Sequence, residues 1–435
     1  MRDIIPLARH LGFRYIWIDA LCIIQDNPAD WQEQATAMTA IYQGCSLNIA
    51  VADSQSCDAG ATRTPQRNSV RLGTASSSSS TQGSNAEVVV VCEPKFPSDY
   101  SPDSSLLSTR GWVFQETLVS IATLFVCHHS LYWDCCSRSC RQGVKHDLLV
   151  PISGSGMAKF ETPKGSWASN VRRLSQITSS AASAASAAST QGERVRPKMR
   201  APANPLWALY PWVSQVSERR LTVPKDKLPV LSGLVSRMVA ATGATYVAGL
   251  WKEDIVLGLL WHVERGSPSE RHNDRAPPWS WASVDGRVKW LWCVSVNAKN
   301  PAVAALGANG LEVLDVVVDE VFPGSFGEVR GGRITAIGTL YDKTQLAGQL
   351  SCFWDEKHKV ANGPQPKRYF LQITYIEAQW VSIGKPEGAF WHTFLIIERT
   401  DGKRENEFRR VGYAHDQDKW SAQYGSGERK QITLV

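Results

Sequence analysis

Four polar residues near the start of the chain could together bind a ligand. Asp19, Cys22, Gln25 and Asp26 lie in one loop after Tyr15–Ile18, a short apolar run that predicts a strand. Ligands of open α/β sheets bind at the carboxyl ends of the strands, so this loop is a candidate polar site at a sheet edge. The alternative is that Asp19 caps the loop by accepting hydrogen bonds from backbone N–H groups, a common role of Asp in turns.

Thiols and imidazoles suggest two further chemistries. Cys22 could be a nucleophile with His10 as its base, although a cysteine at the end of an apolar strand is usually a core residue. A second group has the ligand types of zinc, but only Cys136 and Cys140 have the spacing of a structural zinc site. The group comprises Cys127, His128, His129, Cys135, Cys136, Cys140 and His146. We therefore predict buried or incidental thiols here and no metal site.

The elements around these residues are predicted to form an α/β domain over residues 1–150. Ile4 to Leu11 follow helical spacing and stop at Gly12, and residues 28–43 form an amphipathic helix after an Asn27 N-cap. Helix and strand signals alternate, which indicates a mostly parallel sheet. The predicted strands are Tyr15–Ile18, Leu47–Ala52, Glu87–Cys92, Thr123–Cys127 and Leu131–Cys135.

The rest of the chain divides by its periodicity. Residues 201–275 repeat apolar side chains every three to four positions and predict a helical segment. Residues 276–435 are predicted to be β-rich, with a linker at 151–200 before the helical segment. The period-two strands are predicted at 311–319, 333–341, 368–377, 390–398 and 407–413. Low-complexity tracts occur at 74–84, as an insertion, and at 179–190, within the linker.

Composition excludes several classes of protein. The chain has 435 residues, and Lys+Arg 47 against Asp+Glu 41 gives a net charge of +6, too weak a bias for a dedicated nucleic-acid binder. No apolar stretch reaches the roughly 18 residues of a membrane span. The first residues do not resemble a signal peptide, and the cysteines form no Cys-x-x-Cys pair, so we expect reduced thiols and a cytoplasmic location.

Three sequence blocks resemble the fungal heterokaryon-incompatibility (HET) domain. The first, at 15–52, begins with YIWIDALCIIQD, which contains Trp17, Asp19, Cys22, Gln25 and Asp26, and continues with a helix that carries the family's Gln, Met and Ile-Tyr. The second, TRGWVFQETLVS, contains Arg110, Gly111, Trp112 and Gln115, and the third is LYWDC at 131–135. The blocks occur in the family's order, and the resemblance covers about residues 1–140. The later GLW at 249–251 and PPWSWASVDG at 277–286 resemble regions that accompany this domain in filamentous fungi.

The chain departs from the family pattern at two places. The family's domain opens with a strand carrying Ser-Tyr-x-Trp-Gly, which this sequence lacks, so the sheet is expected to be incomplete through truncation or decay. Ile24 stands where the family usually has Asn. The tryptophans of PPWSWASVDG are expected to join the helical and β-rich regions, with a sugar-binding platform as the alternative.

The resemblance also implies a candidate reaction. HET domains are regarded as similar to TIR domains, some of which cleave NAD, and a carboxylate would then stabilise the oxocarbenium-like transition state at the ribose. Glu33 and Glu116 are the catalytic candidates. Their structural alternatives are a favourable charge in the first turn of a helix for Glu33 and an ion pair with Arg110 for Glu116. NAD enters only as a substrate, and no cofactor is expected.

The function implied by the family is nonself recognition between fused hyphae, ending in programmed cell death. We expect an intracellular signalling module whose partners are other proteins, of HET type or NLR type, and neither nucleic acid nor membrane. The C-terminal region would supply partner contacts or restraint. The alternatives are a TIR-like NAD-cleaving hydrolase and an inactive, truncated paralogue.

Overall fold

The fold is known from a computed structural model. It describes residues 3–56, 60–61, 68–71, 89–92, 102–127, 131–135, 139–142, 149–151, 205–290, 310–346, 350–356, 366–377, 390–400, 404–416 and 426–435. The chain divides into two compact units, Met1–Arg172 and Arg173–Val435. The predicted Ser-rich tract at 74–84, the Ser/Ala-rich tract at 179–190 and all but the first residue of the 151–200 linker lie outside the described residues.

Helices of the first unit end where the local sequence predicts. Helix α1 (Ile4–His10) stops just before Gly12, whose φ of +84° is a conformation that glycine adopts without strain. Helix α3 (Pro28–Gly44) follows Asn27, whose Oδ1 accepts a hydrogen bond from the N–H of Asp30 at 3.3 Å, so the predicted N-cap is confirmed. The other helices are α2 (Asp19–Cys22) and α4 (Gly111–Val119), with 3₁₀ turns at Pro102–Ser104 and Leu107–Thr109.

The sheet of the first unit is mainly antiparallel, so the prediction of a mostly parallel sheet is wrong for the described strands. Its order is β1-β4-β5-β6-β7, and only β1 and β4 run parallel. The strands β4 to β7 follow one another through connections of six residues or fewer. Such connections join antiparallel neighbours, because a parallel pair needs a crossover of about a dozen residues or more. The strands are β1 (Asn48–Val51), β4 (Ala122–Val126), β5 (Leu131–Cys135), β6 (Ser139–Gln142) and β7 (Leu149–Pro151); β2 (Asn68–Arg71) and β3 (Val89–Cys92) pair separately.

The strand predicted at Tyr15–Ile18 is also wrong. Ile18 has an extended backbone, but the segment belongs to no sheet of the described residues, and the Tyr15 side chain is 84% exposed. An apolar run of four residues becomes a strand only where a neighbouring strand accepts its hydrogen bonds. Asp19 therefore begins helix α2 instead of ending a strand.

Tryptophans fill the core of the second unit. Six of the described tryptophans are 1% exposed or less, and the predicted alternative of a sugar-binding platform at Trp279 and Trp281 is wrong because both indoles are buried. Five of their N–H groups donate to backbone carbonyls, as between Trp281 Nε1 and Gly249 O at 3.0 Å, whereas Trp212 Nε1 has no partner among the described residues. The six are Trp212, Trp251, Trp261, Trp279, Trp281 and Trp290.

A tight hairpin brings the two C-terminal sequence motifs together. Strands β8 (Tyr246–Val247) and β9 (Leu250–Trp251) are joined by Ala248 and Gly249, whose φ values are +44° and +97°. Positive φ at both central residues is the geometry that matches the twist of a two-residue hairpin. The Ser280 hydroxyl donates to Ala248 O at 2.6 Å, beside the bond from the neighbouring indole to Gly249. GLW and PPWSWASVDG therefore form one structural element.

Helices and short strands share residues 205–290. The predicted helical segment contains α5 (Leu209–Ser217), α6 (Pro229–Thr242) and α7 (Ile255–Gly258), but it also contains hairpin strands. The further strands are β10 (Trp261–Val263), β11 (Glu270–Arg271), β12 (Val284–Asp285) and β13 (Val288–Trp290). The 3₁₀ turns of the second unit are Pro205–Ala208, Pro224–Lys227, Lys252–Asp254, Trp281–Ser283 and Lys343–Gln345.

A seven-stranded sheet with a barrel-like closure forms the C-terminal region. The order is β14-β15-β17-β18-β19-β16, and β20 pairs with both β15 and β19. All five predicted strands are present, whereas β16 and β20 were not predicted. The strands are β14 (Glu312–Glu320), β15 (Val329–Tyr341), β16 (Leu350–Trp354), β17 (Arg368–Glu377), β18 (Phe390–Arg399), β19 (Glu407–Asp416) and β20 (Glu428–Leu434). The chain therefore combines a mixed α/β first unit with a β-rich end. None of the described helices combines the length and the apolar character needed to cross a bilayer.

Candidate functional site

The loop after Ile18 is held by its own polar groups. Asp19 Oδ1 accepts a hydrogen bond from the N–H of Ala20 at 2.7 Å, as expected of an Asp that caps a turn. The Gln25 amide donates to the backbone oxygens of Asp19 at 3.3 Å and Ile23 at 3.0 Å. These bonds fold the loop back on itself, so that Asp19 stays at a defined place on the surface.

Asp30 ties the same loop to helix α3. Its carboxylate Oδ2 accepts a hydrogen bond from the N–H of Ile24 at 2.7 Å. Ile24 stands where the family usually has Asn, and in this chain its backbone N–H makes the hydrogen bond to Asp30. The first turn of α3 therefore positions the loop, and the far end of α3 carries the next residue of the site.

That residue is Tyr42, and it lies between the loop and helix α4. Its ring meets the ring of Trp17 edge-on, with centroids 5.6 Å apart and planes at 76°. Its hydroxyl donates a hydrogen bond to the side chain of Glu116 on α4. The α3 and α4 helices pack against each other, which brings the two residues together. Trp17 and Glu116, from the first and second sequence blocks, thus meet through Tyr42.

The carboxyl of Glu116 lies in a mixed electrostatic environment. Burial raises its pKa to about 7, the attraction of Arg110 opposes this rise, and the charge of Asp19 adds to it. Burial and the nearby carboxylates in turn raise the pKa of Tyr42 far above its ordinary value, so the phenol stays protonated and donates. Asp19 and Arg110 are exposed, whereas Tyr42 and Glu116 are half-buried.

This arrangement suits proton transfer or electrostatic stabilisation. A carboxyl whose pKa is near 7 is populated in both protonation states at neutral pH, which is the property a general acid or base requires. In its charged form it could stabilise a developing positive charge. The backbone of α4 supports it, because the Ser120 hydroxyl donates to Glu116 O at 2.6 Å and the Cys45 thiol lies 3.9 Å from that hydroxyl.

The other predicted residues lie around this cluster in different environments. Arg110 is the residue before α4, and Gly111, Trp112 and Gln115 lie within the helix, where Gln115 is buried. Glu33 is exposed on α3, while Cys22 and Asp26 are exposed at and after the end of α2. The structure therefore brings Trp17, Asp19, Arg110 and Glu116 together near Tyr42. The two candidate glutamates differ in burial, because Glu116 is half-buried and Glu33 is exposed.

Metal-ligating side chains do not gather among the residues that the structure describes. No group of three or more His, Cys, Asp or Glu in these ranges could hold a metal ion. Cys127 and Cys135 are half-buried on or just after sheet strands. The predicted zinc alternative also included His128, His129, Cys136 and His146, which lie outside the described residues.

Sequence reasoning missed Tyr42 and Asp30 as members of the site. Tyr42 lies on the apolar stripe of the helix predicted at 28–43, and so it was interpreted as a core residue. Its hydroxyl was the signal, because a half-buried phenol normally needs a hydrogen-bond partner. Asp30 follows an N-cap, where an acidic residue is expected for the helix dipole alone.

Comparison with known families agrees with the sequence blocks. Residues 1–116 match the family model described as Heterokaryon incompatibility protein (HET). Over these residues the chain is similar to the HET domain. The matched segment includes Trp17, Asp19, Tyr42, Arg110 and Glu116, and this similarity supports a general role related to heterokaryon incompatibility. Searches of curated proteins and of solved structures each found no match.

Proposed function

We propose that this HET protein is a signalling module of fungal nonself recognition whose activation ends in programmed cell death. One observation carries the proposal: residues from separate family blocks, Trp17 and Asp19 with Arg110 and Glu116, converge on Tyr42 in one surface cluster. A half-buried carboxyl whose pKa is raised to about 7, beside the exposed Asp19, is the kind of arrangement that clusters at functional sites.

The partners we propose are other proteins, of HET type or NLR type, in the cytoplasm. Residues 205–435 would bind these partners or restrain the HET domain. The cluster is at the surface, so a partner or a second molecule could reach it without unfolding of the first unit.

Forced expression in a fungal host tests the signalling role. We expect the wild-type chain to kill hyphae and Glu116→Gln to lose this effect at equal protein level. Glu33→Gln is the matched control, because Glu33 is an exposed glutamate of the same domain. Killing by Glu116→Gln would contradict the proposed site. A wild-type chain that leaves hyphae intact would favour the inactive-paralogue alternative.

A second candidate function, hydrolysis of NAD, is favoured by the environment of Glu116. The charged carboxylate would stabilise the positive charge that develops on the ribose when the bond from C1′ to the nicotinamide nitrogen breaks. Nicotinamide leaves with the bonding electrons, and water adds to C1′ to give ADP-ribose and a proton. Of the two predicted glutamates, the half-buried Glu116 suits this role better than the exposed Glu33.

Release of nicotinamide by the purified chain, alone and clustered on a multivalent support, tests the hydrolase. We expect the rate to rise as pH increases through about 7, because Glu116 must be charged. Glu116→Gln should lose at least about a hundredfold in rate, and Glu33→Gln should keep it. No release from the clustered wild-type chain would rule out this candidate and leave the signalling role in place.

A further inference from the structure

Two histidines in the second unit are buried in an aromatic cluster. His262, on strand β10, and His415, on strand β19, are each 4% exposed. The His262 ring lies 4.6 Å from the ring of Phe353 and 5.7 Å from that of Tyr413, and the His415 ring lies 5.7 Å from each of the same two rings. Within the described residues, His262 Nδ1 is buried without a hydrogen-bond partner.

The cluster lies where residues 259–265 pack against the barrel-like sheet. Arg410 of β19 donates hydrogen bonds to Leu259 O at 2.5 Å and to Trp261 O. Both carbonyls lie in the segment that leads to His262. Arg410 also pairs with the buried Asp355 at 3.0 Å. The contact between the tryptophan-rich region and the sheet therefore depends on the histidines and on Arg410 together.

Most charged groups that face the histidines are positive. Arg410 from β19, Lys289 from β13 and Arg265 from the loop after β10 all act on His262, and Arg265 also acts on His415. Three carboxylates on the same segments are already engaged: Asp355 pairs with Arg410, Glu264 pairs with Lys289, and Asp416 accepts from the N–H of His392.

The aromatic rings offer little compensation for a new positive charge. Arg265 already lies over the Phe353 ring at 4.7 Å, and Arg410 lies over the Trp261 ring at 3.4 Å. A protonated histidine in this cluster would lose its hydration and meet these cations at close range. The cluster thus tolerates neutral imidazoles and opposes charged ones.

We propose that His262 and His415 form an acid-sensitive latch that holds residues 259–265 against strand β19 at neutral pH and releases them on acidification. A histidine in the open chain takes up a proton near pH 6.5, whereas burial and the surrounding cations lower the pKa of His262 to about 3 and that of His415 to about 4. At pH values between the lowered pKa of each folded histidine and about 6.5, the open state binds more protons than the closed state, so acid favours opening.

Hydrogen exchange of the full-length chain, read by mass spectrometry between about pH 7 and pH 4.5, tests the latch. After correction for intrinsic rates, peptides covering 259–265 and 410–416 should lose about tenfold or more of their protection at the acidic end. Helix α6 should keep its protection. Equal protection of these wild-type peptides at about pH 7 and about pH 4.5 would overturn the proposal.

Two double variants separate the histidines from general acid effects. His262→Phe with His415→Phe should keep the latch protected at the acidic end, and His262→Gln with His415→Gln serves the same purpose if phenylalanine does not fit. His10→Gln is the control, because His10 is exposed in the first unit. In this variant residues 259–265 should open on acidification as they do in the wild type. Opening of a folded double variant at the wild-type pH would also overturn the proposal.

Discussion

The hydroxyl of Tyr42 donates a hydrogen bond to the carboxyl of Glu116, and this contact joins the first two of the sequence blocks that resemble the HET domain. The hydrogen bond stabilises the charged form of Glu116, while burial and Asp19 oppose it. The protonation state of Glu116 is therefore set by several residues, and each can be changed separately.

Tyr42→Phe should raise the pKa of Glu116 further, by up to about one unit, because the charged carboxylate loses a donor. The measurement is the pH dependence of the Glu116 carboxyl carbon shift in labelled protein. Tyr15→Phe is the control, since the Tyr15 side chain is 84% exposed. An unchanged titration of Glu116 in Tyr42→Phe would contradict the described hydrogen bond.

Asp19→Asn should move the same titration in the opposite direction. Asp19 raises the pKa of Glu116 through repulsion between like charges, so its neutralisation lowers that pKa. Asn keeps an oxygen that can accept from the N–H of Ala20, so the loop should hold its shape. Asp26→Asn, a neutralisation in the same loop, should leave the titration in place, and an equal effect of both variants would count against a specific contact.

Ionisation of Glu116 should weaken the first unit at alkaline pH. The folded pKa of about 7 lies above the ordinary 4.5, so the stability contributed by the neutral form is complete below about pH 4.5 and is lost as pH rises through 7. Glu116→Gln should therefore gain about 1–3 kcal/mol over the wild type at alkaline pH and little at acidic pH. Urea unfolding at both pH values measures this, with Glu33→Gln as a control that should show no such trend.

Gly249→Ala should destabilise the second unit by about 2–4 kcal/mol. Gly249 has a φ of +97°, and an added Cβ would lie 2.4 Å from Nε1 of the buried Trp281. Gly243→Ala is the matched control: its φ is +71° but its Cβ would meet open space, so about 1 kcal/mol is expected. Thermal unfolding followed by tryptophan fluorescence compares them, and equal losses would exclude the steric contribution of Trp281.

Asp355→Asn should cost about 3–5 kcal/mol, because Asp355 neutralises two buried arginines. Its Oδ2 lies 2.8 Å from Arg271 Nη2 and 3.0 Å from Arg410 Nε. Asp319→Asn removes an exposed partner of Arg330 and should cost less than about 0.5 kcal/mol. Denaturant unfolding of both variants measures the difference, and similar small losses would show that the buried pair contributes little.

Local signals in the sequence determined many of the elements. The stop at Gly12, the cap at Asn27 and the period-two strands of the C-terminal region depend on neighbouring residues, so they could be predicted without a partner in space. The same is true of the similarity to the HET family, because the matching blocks are contiguous stretches of sequence.

Only the tertiary structure decided which strands pair and what each polar group contacts. The run at Tyr15–Ile18 has strand-like residues but no neighbouring strand in the described sheet, and the buried position of Arg410 follows from Asp355 and the carbonyls that surround it. Tyr42 followed the pattern of a core residue, yet its place beside Glu116 makes it part of the site. The physical reason is that helix ends and side-chain periodicity depend on local backbone geometry, whereas sheet pairing, burial and pKa depend on groups that are distant along the chain.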